Sequence, residues 1–186
     1  ILCTSLWACD STPSDSSKGS EEELMAINGW SGELPLGFPT PRVPLDKQMS
    51  VAKIELGRHL FYDSRLSGNQ TQSCSSCHEQ SKAFTDGEIH STGSTGQQTP
   101  RNSMALVNIA YNSTYTWANP SINLLEEQIV IPLFSERPIE MGITGLEEEV
   151  LTRLTDEVVY QQLYRAAYPN AENSLNLEQV VEALGA

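Results

Sequence analysis

The apolar residues of this chain recur at helical spacing, and no apolar/polar alternation of period two competes with them. Val51, Ile54, Leu60 and Phe61 fall on one side of a helix that Ser50 can cap. It ends near Asp63, ahead of the turn-forming Ser67-Gly68-Asn69. Further helical patterns cover 103–111, 121–134, 144–154 and 156–167. Thr144-Gly145-Leu146-Glu147 has the form of a capping box and predicts where the third of these begins. From Asn176 a last helix puts Leu177, Val180, Val181 and Leu184 on one face, with no element after it to cover them. The chain therefore reads as all-α, without internal repeats, and as a fragment of a longer protein. Residues 10–23 are Ser-rich, charged and aperiodic, which predicts a flexible tether, and the Pro-rich arm at 34–44 can only be extended or turning. Between 82 and 100 the chain is mostly Gly, Ser, Thr and Gln, which predicts a long functional loop.

With 186 residues the chain can bury a real core. Its formal charge of -13 leaves no basic stripe for phosphates, which excludes nucleic acid and suits a basic or neutral protein partner. The acidic runs at 21–23 and 147–149 read equally well as solvated faces. Ile1 to Ala8 is an apolar strip ending at Cys9, and it looks like the remnant of a signal peptide (residues 1–9). Leu6-Trp7-Ala8-Cys9 also resembles a lipobox, with Cys9 as the lipid anchor; lipoprotein and simple secretion both stand, and both export the protein to the periplasm. Residues 10–43 then form a linker and 44–186 the folded domain. No run of about 18 apolar residues is present.

The chemistry concentrates at Ser73-Cys74-Ser75-Ser76-Cys77-His78. Two thiols at this spacing can add across the vinyl groups of a haem, and the histidine that follows presents its imidazole to the iron, so the motif predicts a covalently held haem c. A zinc knuckle needs four ligands, and the other cysteines, Cys3 and Cys9, lie in the dissimilar N-terminal segment. A thioredoxin-like dithiol expects a βαβ context that the flanks do not supply. Arg58 and Arg65 are candidates for pairing with haem propionates, with ordinary surface pairing as the rival reading.

The stretches Leu56-Gly57-Arg58-His59-Leu60-Phe61-Tyr62-Asp63-Ser64-Arg65-Leu66-Ser67, Ser73 to His78, Ala83-Phe84-Thr85-Asp86-Gly87 and Thr99-Pro100-Arg101-Asn102-Ser103 together resemble the N-terminal half of bacterial di-haem cytochrome c peroxidases and MauG-type enzymes. Within that superfamily Leu106 to Asn112 and Thr116 to Pro120 look most like the MbnH-like branch. The resemblance implies a cytochrome c-like domain, truncated at its C-terminus, and a second haem in a domain beyond it. It implies that His78 ligates the haem that meets hydrogen peroxide. Glu127-Gln128, Pro132 and Glu140-Met141 follow the family's order for the residues that handle peroxide, so Gln128 and Glu140 take catalytic roles. The spacing from Pro132 to Glu140 is longer than in the classical peroxidases. Trp117 corresponds to the tryptophan between the two haems, and Asn102 to a calcium ligand at the domain boundary. The oxidising equivalents would reach a small redox protein, or a tryptophan of a partner protein.

One departure matters. Classical peroxidases carry a loop histidine that blocks the iron until the other haem is reduced; here Ser94 occupies that slot and His90 lies earlier in the loop. The resemblance then implies a MauG-like site, open without reductive activation. Outside the resemblance, Trp117 also reads as core, His59 as a surface residue, and Met141 as the axial ligand of a mono-haem electron carrier, the rival function.

Overall fold

The computed structural model describes residues 34–39, 49–171 and 174–186. The leader-like run ending at Cys9, the tether at 10–23 and the rest of the Pro-rich arm lie outside the described residues. Leu34–Phe38 makes a turn of its own, closed by the Phe38 N–H on the Pro35 carbonyl at 3.0 Å, with Gly37 at φ 90°. All that follows belongs to the second unit, residues 39–186.

Its helices are α1 (Val51–Tyr62), α2 (Cys74–Cys77), α3 (Leu125–Phe134), α4 (Glu147–Thr155), α5 (Val158–Ala167) and α6 (Leu177–Gly185). Among the described residues there are isolated β-bridges but no strand, so the all-α reading holds. Ser50 caps α1 by accepting the Lys53 N–H at 3.1 Å. At the other end the Asp63 carboxylate accepts the Arg65 N–H and starts a 3-10 turn, Ser64–Leu66. The buried face of α1 is Leu56, Gly57 and Leu60.

Gly57 fixes the architecture. A Cβ there would lie 1.8 Å from the Ala183 carbonyl oxygen, so α1 and α6 cross backbone to backbone and only glycine fits. α1 also packs on α5, α3 packs on α6, and α4 packs on α5 and the 3-10 turn. Fully buried Leu56, Leu60, Leu66, Leu154 and Val180 belong to one core. Removing each such leucine side chain from water is worth roughly 2 kcal/mol.

Four expectations change. The last helix is not bare: Val180 and Val181 are buried against α1 and α3, because the glycine crossing brings α6 back to the start of the domain. The pattern at 103–111 yields only a 3-10 turn at Ile109–Tyr111, since Asn108 turns left-handed (φ 54°) and Ser103 spends its hydroxyl on the Asp86 carboxylate. The capping box at Thr144 does not form. Thr144 donates instead to the Phe134 carbonyl, Gly145 turns left-handed, and α4 starts only at Glu147. Likewise α3 starts at Leu125, after Asn119 Oδ1 has taken the Ser121 N–H in a turn. At α6 a capping box that the sequence pattern had not called is present, between Asn176 and Gln179.

Candidate functional site

The route from α1 to the cysteines is built by short polar side chains. Buried Ser67 donates to the Ser64 carbonyl and accepts the Gln72 N–H, while Arg153 of α4 donates to the Ser67 and Gly68 carbonyls at 3.1 Å. The chain then enters α2 through buried Ser73, whose N–H donates to Ser76 Oγ. Burial pushes the Cys74 thiol up to about 12. Burial, with the Asp86 and Glu140 charges adding, pushes Cys77 up to about 11. A redox dithiol works as a thiolate and needs the opposite shift.

His78 Nδ1 lies 2.9 Å from the Phe84 carbonyl. A carbonyl only accepts, so Nδ1 carries a proton, which leaves Nε2 as the nitrogen for a metal. Two successive left-handed residues, Ala83 (φ 57°) and Phe84 (φ 58°), aim that carbonyl. The His78 ring also packs on Phe61, with centroids 6.5 Å apart, and Phe61 packs edge-on to Phe84 at 6.2 Å. Phe84 was legible only as part of a matching stretch, without a role, because nothing marks a phenylalanine for a left-handed turn.

A second cluster surrounds α3. Pro132 has no N–H, so the Gln128 carbonyl loses its usual intrahelical partner, and the Pro132 carbonyl receives the Met141 N–H at 2.9 Å. The Leu133 carbonyl likewise receives the Ile143 N–H at 3.1 Å. These bonds tie the segment carrying Glu140 to the helix carrying Gln128. Ser94 closes the cluster, its N–H donating to the Glu140 carbonyl at 2.8 Å. The Ser94 loop is pinned from the other side by Asn69 Nδ2, on the Ser94 carbonyl at 2.7 Å, and by Gln72 Nε2, on the Thr92 carbonyl. Gly93 permits this approach, since a Cβ there would lie 1.9 Å from the Ile139 oxygen. Burial raises the Glu140 carboxyl above its ordinary value. Gln128 Oε1 is buried with no hydrogen-bond partner.

Trp117 is 53% exposed, so it is not core, and its Nε1–H donates to the Asn102 carbonyl at 3.0 Å. The predicted relay and the predicted calcium residue thus touch. Arg65 is held at 2.7 Å by Asp63, is paired with Glu157 and lies over the Tyr160 ring, so of its two readings the structure displays carboxylate pairing. Arg58 pairs with Glu55 on α1, as does His59 at 3.2 Å. His90 is exposed, with Nδ1 on the Thr99 carbonyl. Met141 is 6% exposed within the core.

These residues fit a covalently attached haem. Two free thiols, Cys74 and Cys77, stand at the two ends of one helical turn, the imidazole has Nδ1 committed to a carbonyl, and a buried amide oxygen has no protein partner. An orphaned acceptor of that kind costs about 1–3 kcal/mol, which calls for a partner from outside the chain, water or ligand.

Comparison with known proteins agrees. Residues 51–186 match the family described as di-haem cytochrome c peroxidase. The chain is 42% identical over 137 residues to the cytochrome-c peroxidase IdrP1 of Denitromonas iodatirespirans, covering 73% of this chain and 34% of that one. It is 26% identical over 166 residues to the methylamine utilization protein MauG of Methylophilus methylotrophus, covering 87% and 48%. The crystal structure of a MauG-like protein associated with microbial copper homeostasis superimposes with a TM-score of 0.81 at 44% identity, over 84% of this chain and 45% of that one. The chain spans less than half the length of each of these three.

Proposed function

The chain belongs to the di-haem cytochrome c peroxidase family, and on that premise we propose that it is the peroxide-handling, cytochrome c-like part of a periplasmic di-haem oxidoreductase. Cys74 and Cys77 would hold the haem through thioether bonds, and His78 would supply the nitrogen ligand to its iron. The haem supplies a redox-active iron that takes up the oxidising equivalents of hydrogen peroxide. The observation that carries the reading is the buried, unpaired Oε1 of Gln128, on the helix to which the segment of Glu140 is tied.

Gln128 does not titrate near neutral pH; its amide accepts and donates hydrogen bonds, and it orients peroxide. Glu140 takes the proton of the inner peroxide oxygen and returns one to the departing oxygen. Its burial favours this role, because it raises the carboxyl above its ordinary value and makes the carboxylate a stronger base. The pinned loop supports an open site, since Ser94 is tied to Asn69 on one side and to Glu140 on the other. Trp117, half exposed, passes oxidising equivalents toward a second haem in a further domain. Asn102, bonded to it, contributes to a calcium site at that boundary. The final electron source is a small redox protein or a tryptophan of a partner protein. The family match favours the peroxidase reading over the rival carrier reading with Met141 as axial ligand.

The test is the ferric holoprotein, full length, without prior reduction. Electron paramagnetic resonance should show a high-spin haem that binds cyanide at once. A purely low-spin spectrum, unchanged by His90→Ala, would overturn the open site, and a sulfur-to-iron band lost in Met141→Leu would install the carrier.

A further inference from the structure

Tyr62 ends α1 at the surface, 48% exposed, and is not part of the peroxide chemistry above. Its ring meets Phe61 edge-on at 5.1 Å, and Phe61 in turn meets the His78 ring at 6.5 Å. Two ring-to-ring steps therefore join solvent to the imidazole that would ligate iron. The phenol borders a shallow surface groove with Ser75, Glu79, Gln80 and Ser81, and its hydroxyl faces Gln80 Oε1 at 3.5 Å. Tyr160 and Tyr168, by contrast, commit their hydroxyls to Asp63 and Glu182 in the interior between helices.

Phenol is the side chain on this route that can give up an electron at moderate potential, provided its proton has somewhere to go. Phe61 holds no such electron but shortens the gap as a bridge. An exposed groove bordered by a carboxylate supplies both water and a proton acceptor. Nothing in the core packing asks for a tyrosine at this position, because its hydroxyl makes no buried bond.

We propose that Tyr62 is a surface redox site, the exposed end of a ring-to-ring route to His78; this rests on the peroxide reading of His78. Tyr62 loses one electron and its O–H bond breaks. The electron passes by way of Phe61 and His78 to the haem after peroxide has oxidised it, which is thereby reduced by one equivalent. The proton goes to water in the groove, leaving a neutral tyrosyl radical. A one-electron donor then returns the electron, water returns the proton, and the phenol is restored. Trp117 takes no part in this route: its indole N–H donates to the Asn102 carbonyl.

The experiment is freeze-quench electron paramagnetic resonance of the full-length holoprotein after hydrogen peroxide, for wild type and Tyr62→Phe, with haem absorbance followed in parallel. Wild type should give a tyrosyl signal that Tyr62→Phe loses, while the peroxide-induced haem change persists in both. A nitroso spin trap should attach to the peptide containing Tyr62 in wild type only. Haem change with a tyrosyl signal and adduct pattern unaltered in Tyr62→Phe overturns the Tyr62 site alone. No haem change in either protein overturns the peroxide reading and this inference with it.

Discussion

Where α1, α2 and the Phe84 turn meet, His78 is set by aromatic packing and one carbonyl; around α3, Glu140 is set by backbone hydrogen bonds between loops. The first region hangs on regular helices whose crossing is locked at Gly57. The second hangs on the Ser94 loop and the segment after α3, where Gly93 admits a neighbouring backbone. On the proposed function, holding the haem and handling peroxide fall to parts built in different ways, and damage to each should read out differently.

The largest expected effect lies in the helical part. Leu60 is fully buried, so Leu60→Ala should cost about 2–5 kcal/mol in a denaturant titration. Next comes the Asp63 node, where burial acts to raise the carboxyl but bonds from Arg65 and Tyr160 outweigh it and hold it below its ordinary value. A depressed carboxylate contributes stability above its unfolded pKa, and that contribution is lost as pH falls through the folded one. Asp63→Asn should cost about 1.5–3 kcal/mol at neutral pH, and its penalty should shrink under acid. An equal penalty at pH 2 and pH 7 would remove the electrostatic explanation. The smallest stability effect belongs to the loops. Gly93→Ala sets a Cβ against the Ile139 carbonyl and should cost about 1–3 kcal/mol, while the reaction with peroxide should slow as Ile139 and Glu140 are pushed away. If Gly93→Ala unfolds the protein as Leu60→Ala does, the two regions are not separable.

Legibility in the sequence followed the same division. The Cys-x-x-Cys-His run and the Ser50 cap were readable because each is a side-chain pattern with a chemical reason, whereas the order of Gln128, Pro132 and Glu140 was readable only through the family resemblance. Leu56 and Gly57 were missed on α1, although they bury its face, because a glycine carries no apolar signal and its meaning lies in the distant Ala183 carbonyl. The false helix at 103–111 had helical periodicity but spends its polar groups elsewhere; Val107 is half exposed there. Arg65 could be given two roles from sequence, since only the fold brings Glu157 and Tyr160 to it.

The central claim is that Glu140 moves the proton of peroxide, and its pH profile tests it most directly. Burial raises this carboxyl, so the folded state holds the proton more tightly than the unfolded chain and loses stability as pH rises above the ordinary glutamate value. Glu140→Gln removes that cost and should be no less stable at neutral pH. The rate of haem oxidation by peroxide in the full-length holoprotein should rise with pH, with a midpoint above the ordinary glutamate value. In Glu140→Gln that limb should vanish and the rate fall by about 10²-fold or more. A Glu140→Gln protein that keeps both the wild-type rate and the limb would contradict the assignment and leave Glu127 and Glu136 as the carboxylates to test.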